Sequence, residues 1–207
     1  MFTEQIIQLI FDGLRTIAIG SAAIVGILGI NSWRRETRWK RKYQLAEEVL
    51  ALAYEAKEQI AWIRNGFSYG SEGTTRQKRD KESEEESQIR DSVYVTVERA
   101  ESVKETFNKL QSLKFRFVAV FDQPDSRLID EFLKVRNKLI FSSYRLADAR
   151  VRNRRKSILS EQEQKHIDRL EAIIWSDLEE PDEISKQIDN ALEELENICK
   201  SVIRKSA

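Results

Sequence analysis

The chain has 207 residues, with 35 basic and 35 acidic side chains, seven glycines, two prolines, one cysteine and one histidine. Balanced charge gives a nucleic-acid partner no general electrostatic support, and a lone Cys199 with a lone His166 excludes both a disulfide framework and a multi-ligand zinc site. So few turn residues beside 34% charged residues point to an all-α chain of long helices.

The first element is apolar. From Thr16 to Ile30 every residue is apolar or small, but fifteen residues cover only about 22 Å of a hydrocarbon core that is about 30 Å thick. The upstream run Ile6 to Phe11 is needed to complete a span, and one helix from about Ile6 to Trp33 is expected. Asp12 and Arg15 then fall inside it, spaced i, i+3 on one face, where a pair partly offsets their cost near the outer boundary. Ala18, Ala22 and Gly26 recur at every fourth position, a small-residue ridge that lets two helix backbones approach closely. The competing reading, a cleaved signal peptide, requires a basic stretch before the apolar core, whereas residues 1–14 hold Glu4 and Asp12 and no Lys or Arg. The positive charge comes afterwards. Arg34, Arg35, Arg38, Lys40, Arg41 and Lys42 stand against a single acid, Glu36, and such clusters stay on the cytoplasmic side. The expected topology is N-terminus outside, with residues 1–33 as the anchor and 34–207 as one cytoplasmic domain.

The second helix runs to about Arg64, with Ala46, Val49, Leu50, Ala53, Ala56, Ile60 and Ile63 on one side and Glu47, Glu48, Glu55, Lys57 and Glu58 on the other. No Gly or Pro separates Trp33 from Ile63, so the anchor is expected to continue into it without a break. The run Lys40-Arg41-Lys42-Tyr43-Gln44-Leu45-Ala46-Glu47-Glu48-Val49-Leu50, with Tyr54-Glu55-Ala56 and Ile63-Arg64-Asn65-Gly66-Phe67-Ser68, resembles a stretch of uncharacterised bacterial single-pass membrane-anchored proteins, over residues 33–75. That resemblance implies a bacterial inner-membrane setting and no particular chemistry.

Gly66, Gly70 and Gly73 and the charged run Arg76 to Glu86 read as a mobile polar loop over about 65–88. No Gly-Lys-[Ser/Thr] follows the glycines and no strand precedes them, which argues against a phosphate-cradling loop. A third helix is expected from about Glu85 to Phe121 as one piece, on the ladder Ile89, Val93, Ala100, Val103, Phe107, Leu110, Leu113, Phe117 and Val120. The alternating Val93 to Val97 favours strand locally, and the ladder on both sides overrides it. After a turn at Asp122-Gln123-Pro124-Asp125, a fourth helix places Leu128, Phe132, Val135, Leu139, Ser142, Leu146 and Ala149 at alternating 4-3 spacing.

The end of that helix is basic: Arg145, Arg150, Arg152, Arg154, Arg155 and Lys156. Three readings are open for it: a partner for the helix dipole, a patch for anionic lipid headgroups, and a nucleic-acid contact, the last weakened because aromatic residues for base stacking are missing locally apart from Tyr144. Ser160-Glu161-Gln162-Glu163 is a capping box that opens a fifth helix. Glu163 and His166 form one half of a di-metal motif whose second half would need another histidine, so His166 reads as a surface residue and no metal or cofactor is expected. An acidic turn from Asp177 to Glu183 leads to a last helix on Ile184, Ile188, Ala191, Leu195, Ile198 and Val202, with Cys199 as a small buried hydrophobe.

Together these elements describe one transmembrane helix followed by a cytoplasmic antiparallel bundle of four to five long helices. The expected function is non-enzymatic: a scaffold that binds a protein partner or self-associates, in contact with membrane lipids. The alternative is a defence-type effector whose membrane helices assemble to perturb the bilayer.

Overall fold

A computed structural model of the chain describes residues 2–121, 127–176 and 182–204, with side-chain environments from residue 13 onward. The expected turn at 122–125 and most of the acidic turn at 177–183 lie outside the described residues. Six helices are present in the described residues and no strand: α1 Phe2–Ile63, α2 Glu84–Ser102, α3 Lys104–Phe121, α4 Arg127–Asn153, α5 Glu161–Ile174 and α6 Glu183–Ile203. The chain divides into two compact units, Met1–Gln44 and Leu45–Ala207, and the boundary falls within α1, which runs unbroken from the apolar stretch to Ile63.

In the second unit α4 packs against α2, α3, α5 and α6. The sequence explains why. All seven residues of its expected ladder, Leu128, Phe132, Val135, Leu139, Ser142, Leu146 and Ala149, are buried. The larger core joins Leu128, Phe132, Val135 and Leu139 of that ladder to Leu45, Val49, Ile60 and Ile63 of α1, Phe107, Leu110 and Phe117 of α3, and Ile184, Ile188 and Leu195 of α6. A smaller one gathers Val93, Leu146, Ala149, Ile167, Leu170 and Ile174 where α2, α4 and α5 meet. The valines of α2 are helical as expected, because burial against α4 outweighs their strand propensity.

The expected single helix from Glu85 to Phe121 is two helices, broken at Val103 (φ −104°, ψ 12°). An unbroken helix would bond the Lys104 amide to the Ala100 carbonyl. That carbonyl is instead taken by α4: Arg136 donates to it from Nε at 3.2 Å and from Nη2 at 3.0 Å, while its guanidinium also bonds Glu101 and lies over the Phe107 ring. Val120, expected on the buried ladder, is 37% exposed, and Phe121 takes the inward position, stacked on Phe117.

The polar segment before α2 is tied down by α2. Arg99, buried, donates to the carbonyls of Trp62, Asn65 and Phe67 and pairs with Glu72 at 2.7 Å. Gly73 has φ +83°, and a Cβ there would lie 2.1 Å from the Asp91 carbonyl oxygen, so only glycine fits. Its amide donates to Glu98. Arg76 joins Glu82 and Asp91, and Arg90 joins Glu82 to Asp148 of α4. Ser83 and Glu86 close a capping box at the start of α2.

Candidate membrane helix and basic helix end

Every described residue from Gly13 to Glu36 is exposed, and among the described residues α1 is the one helix long and apolar enough to cross a membrane. Its bare side chains are large: Ile17, Ile19, Ile24, Val25, Ile27 and Leu28 are each at least 60% exposed. Ala18, Ala22 and Gly26 lie among them, with nothing within 4 Å of a Cβ built on Gly26. Leaving such a face in water would cost about 25 cal/mol per Å2, so an apolar environment is its physical complement. Arg15 is exposed, while the side chain of Asp12 lies outside the described residues, and so does the expected pair. Of the basic cluster, Arg34, Arg35, Arg38, Lys40 and Arg41 are exposed and Lys42 is half-buried, and the Arg38 Nε donates to the Arg34 carbonyl at 3.3 Å. Trp39 packs on Tyr43, with ring centroids 5.3 Å apart.

At the basic end of α4 the structure separates the predicted residues. Arg150 pairs with Glu171 of α5 at 2.7 Å and lies over the Trp175 ring. Arg154 pairs with Glu86 in the first turn of α2, and Lys156 with Glu163 of the α5 capping box. Arg152 and Arg154 also donate to carbonyls of α4 itself, those of Asp148 and Val151, which is the contact a helix-dipole partner makes. Arg152 and Arg155 have no carboxylate partner among the described residues. Lys156 and the Ser160 amide and hydroxyl hold the Glu163 carboxyl down at about 2.

Two buried arginines were missed from sequence, although both fall on an apolar stripe. Arg64 follows Ile60 by one helical turn and is 1% exposed. It donates to the carbonyls of Ala172, Ile173 and Trp175, the unsatisfied end of α5, and forks onto both carboxylate oxygens of Asp182, the N-cap of α6. Burial pushes the Asp182 carboxyl up, but the Arg64 guanidinium and the Ser185 amide outweigh it and leave it below the usual range. Arg99, already described, is the second.

Cys199 is fully buried in the larger core, and burial pushes its thiol up to about 12. His166 is exposed on α5, and no group of three or more His, Cys, Asp or Glu among the described residues is placed to hold a metal ion. No family model matches this chain, and neither a curated protein nor a solved structure matches it.

Proposed function

We propose that the chain is a single-pass inner-membrane protein of bacterial type, N-terminus outside, whose cytoplasmic antiparallel helical bundle binds a protein partner or self-associates without catalysing a reaction. The observation that carries the reading is α1: an exposed apolar stretch followed at once by six cations, in a helix that runs on to Ile63. Chemistry has little foothold beside it, because the buried cations Arg64 and Arg99 are committed to carbonyls and carboxylates that hold helix ends and a loop. Blue-native electrophoresis of detergent-solubilised membranes tests it: the protein is expected in complexes larger than one chain, and a lone monomer at every detergent concentration would overturn the proposal.

The exposed ridge of Ala18, Ala22 and Gly26 favours a second reading, in which membrane helices assemble and perturb the bilayer. Induced expression with a membrane-potential dye separates the two. Depolarisation that disappears in Ala22→Leu would support the effector, and a steady potential would leave the scaffold.

A further inference from the structure

Most cations of the second unit are neutralised within it, and those beside one groove are not. The groove runs between α4 and α5, has a volume of about 330 Å3 and takes its apolar lining from Phe141, Leu170 and Ile173. Lys138, Arg145 and Arg169 line it, no carboxylate does, and none of the three has an ion pair or hydrogen-bond partner among the described residues. At His166 it meets a second hollow of about 500 Å3, where Arg152 adds another cation and the one carboxylate, Glu163, is already held by Lys156. Phe141 is 68% exposed, with the Arg145 guanidinium over its ring. An apolar lining edged by unpaired cations of one sign is a surface built for an amphipathic anion.

Spacing selects the class of anion. Lys138, Arg145 and Arg152 are seven residues apart on α4, so their Cα atoms recur at about 10.5 Å along the groove. A helix lying in the groove presents acidic residues at the same interval when they are seven apart, with its apolar stripe turned to that lining. On a duplex strand every third phosphate advances about 10.2 Å, but it is also turned about 100° around the duplex axis, which carries it off the line of cations. We propose that the α4–α5 groove receives an acidic amphipathic helix of a partner protein, about 14 residues long, with Glu or Asp at heptad spacing flanking an apolar stripe. This rests on the interaction reading above and adds the partner's chemistry to it.

The test uses the purified full-length chain in detergent micelles and a fluorescein-labelled synthetic helix of about 15 residues, with leucines on one face and glutamates at every seventh position beside them. Its controls are a peptide of the same composition with the glutamates moved to the opposite face, and an oligouridylate of similar charge. Anisotropy is expected to report binding of the first peptide at least about tenfold tighter than either control. That binding should weaken at least about tenfold in R145E/R169E, two exposed positions whose exchange is expected to leave the thermal melt in place. Equal binding of the scrambled peptide or the oligouridylate, no binding, or no loss in the double variant would each overturn the proposal. Should the double variant melt early, p-benzoylphenylalanine at position 141 of the otherwise native chain gives the answer: an adduct with the first peptide supports the groove, and its absence sinks it. Blue-native complexes that persist while the groove binds no peptide would remove this inference alone. A lone monomer that still binds the peptide would remove only the reading beneath it.

Discussion

Arg64 concentrates more hydrogen bonds than any other described side chain, and its surroundings decide how much it is worth. It brings three backbone carbonyls and a carboxylate together at 1% exposure, so shortening it leaves buried acceptors without donors. Arg64→Met should lower unfolding free energy by about 3–5 kcal/mol, read from the urea midpoint. Arg64→Lys should recover only a small part, because an ammonium cannot fork onto both oxygens of Asp182 while also reaching α5. The same site gives a pH dependence. The Asp182 carboxyl lies below its ordinary value in the folded chain, and so do Glu72 beside Arg99 and Glu82, where Arg76 overcomes the upward push of burial. A lowered folded pKa means that the unfolded chain binds the proton more readily. The stabilisation is therefore complete above the unfolded values of about 4 and is lost as pH falls through the folded ones. The urea midpoint should hold steady from about pH 5 to 8 and drop below about pH 4. A midpoint unchanged at about pH 3 would show that these pairs contribute nothing.

At the scale of elements, the ladders were readable and the interruptions were not. Seven residues at 4-3 spacing determined the buried face of α4, and the capping box at Ser160 marked the start of α5. The break at Val103 left no local mark, because its cause is Arg136, on another helix. The loop before α2 misled for a related reason: its composition is that of a mobile linker, whereas its bonds are supplied by Arg99, Glu98 and Asp91 from α2. Polar composition forecasts solvent exposure well and order poorly when the ordering partners are themselves charged and distant. Limited trypsin digestion checks this. Arg76, Lys78, Arg79 and Lys81 offer four sites between Gly73 and Ser83, yet the native chain should resist cleavage there, and Arg99→Met should raise the rate about tenfold or more. Equal rates in the two proteins would mean that Arg99 does not hold the segment.

For the whole molecule, the long apolar helix was legible in the sequence, and the basic cluster after it predicts a direction across a membrane. The buried Cys199 makes the direction measurable, because the single native thiol is sequestered and any added cysteine reports alone. With the N-terminus outside, a cysteine at Thr3 should react with a membrane-impermeant maleimide on intact cells. One at Lys40 should react only after permeabilisation. The reverse pattern would invert the topology.

The Arg64 clamp also bears on how the chain is made. Its partner Asp182 lies 118 residues further along, and the α1 face from Leu45 to Ile63 shares its core with α6. At a synthesis rate of about 5–20 residues per second, Arg64 leaves the ribosome about 6–24 s before Asp182 and the helix it caps, the last of the elements that close over that face. Until then part of it is a surface that other nascent chains, chaperones and proteases can reach, so the yield of this protein in a cell depends on who meets residues 45–64 first as well as on the stability of the finished fold.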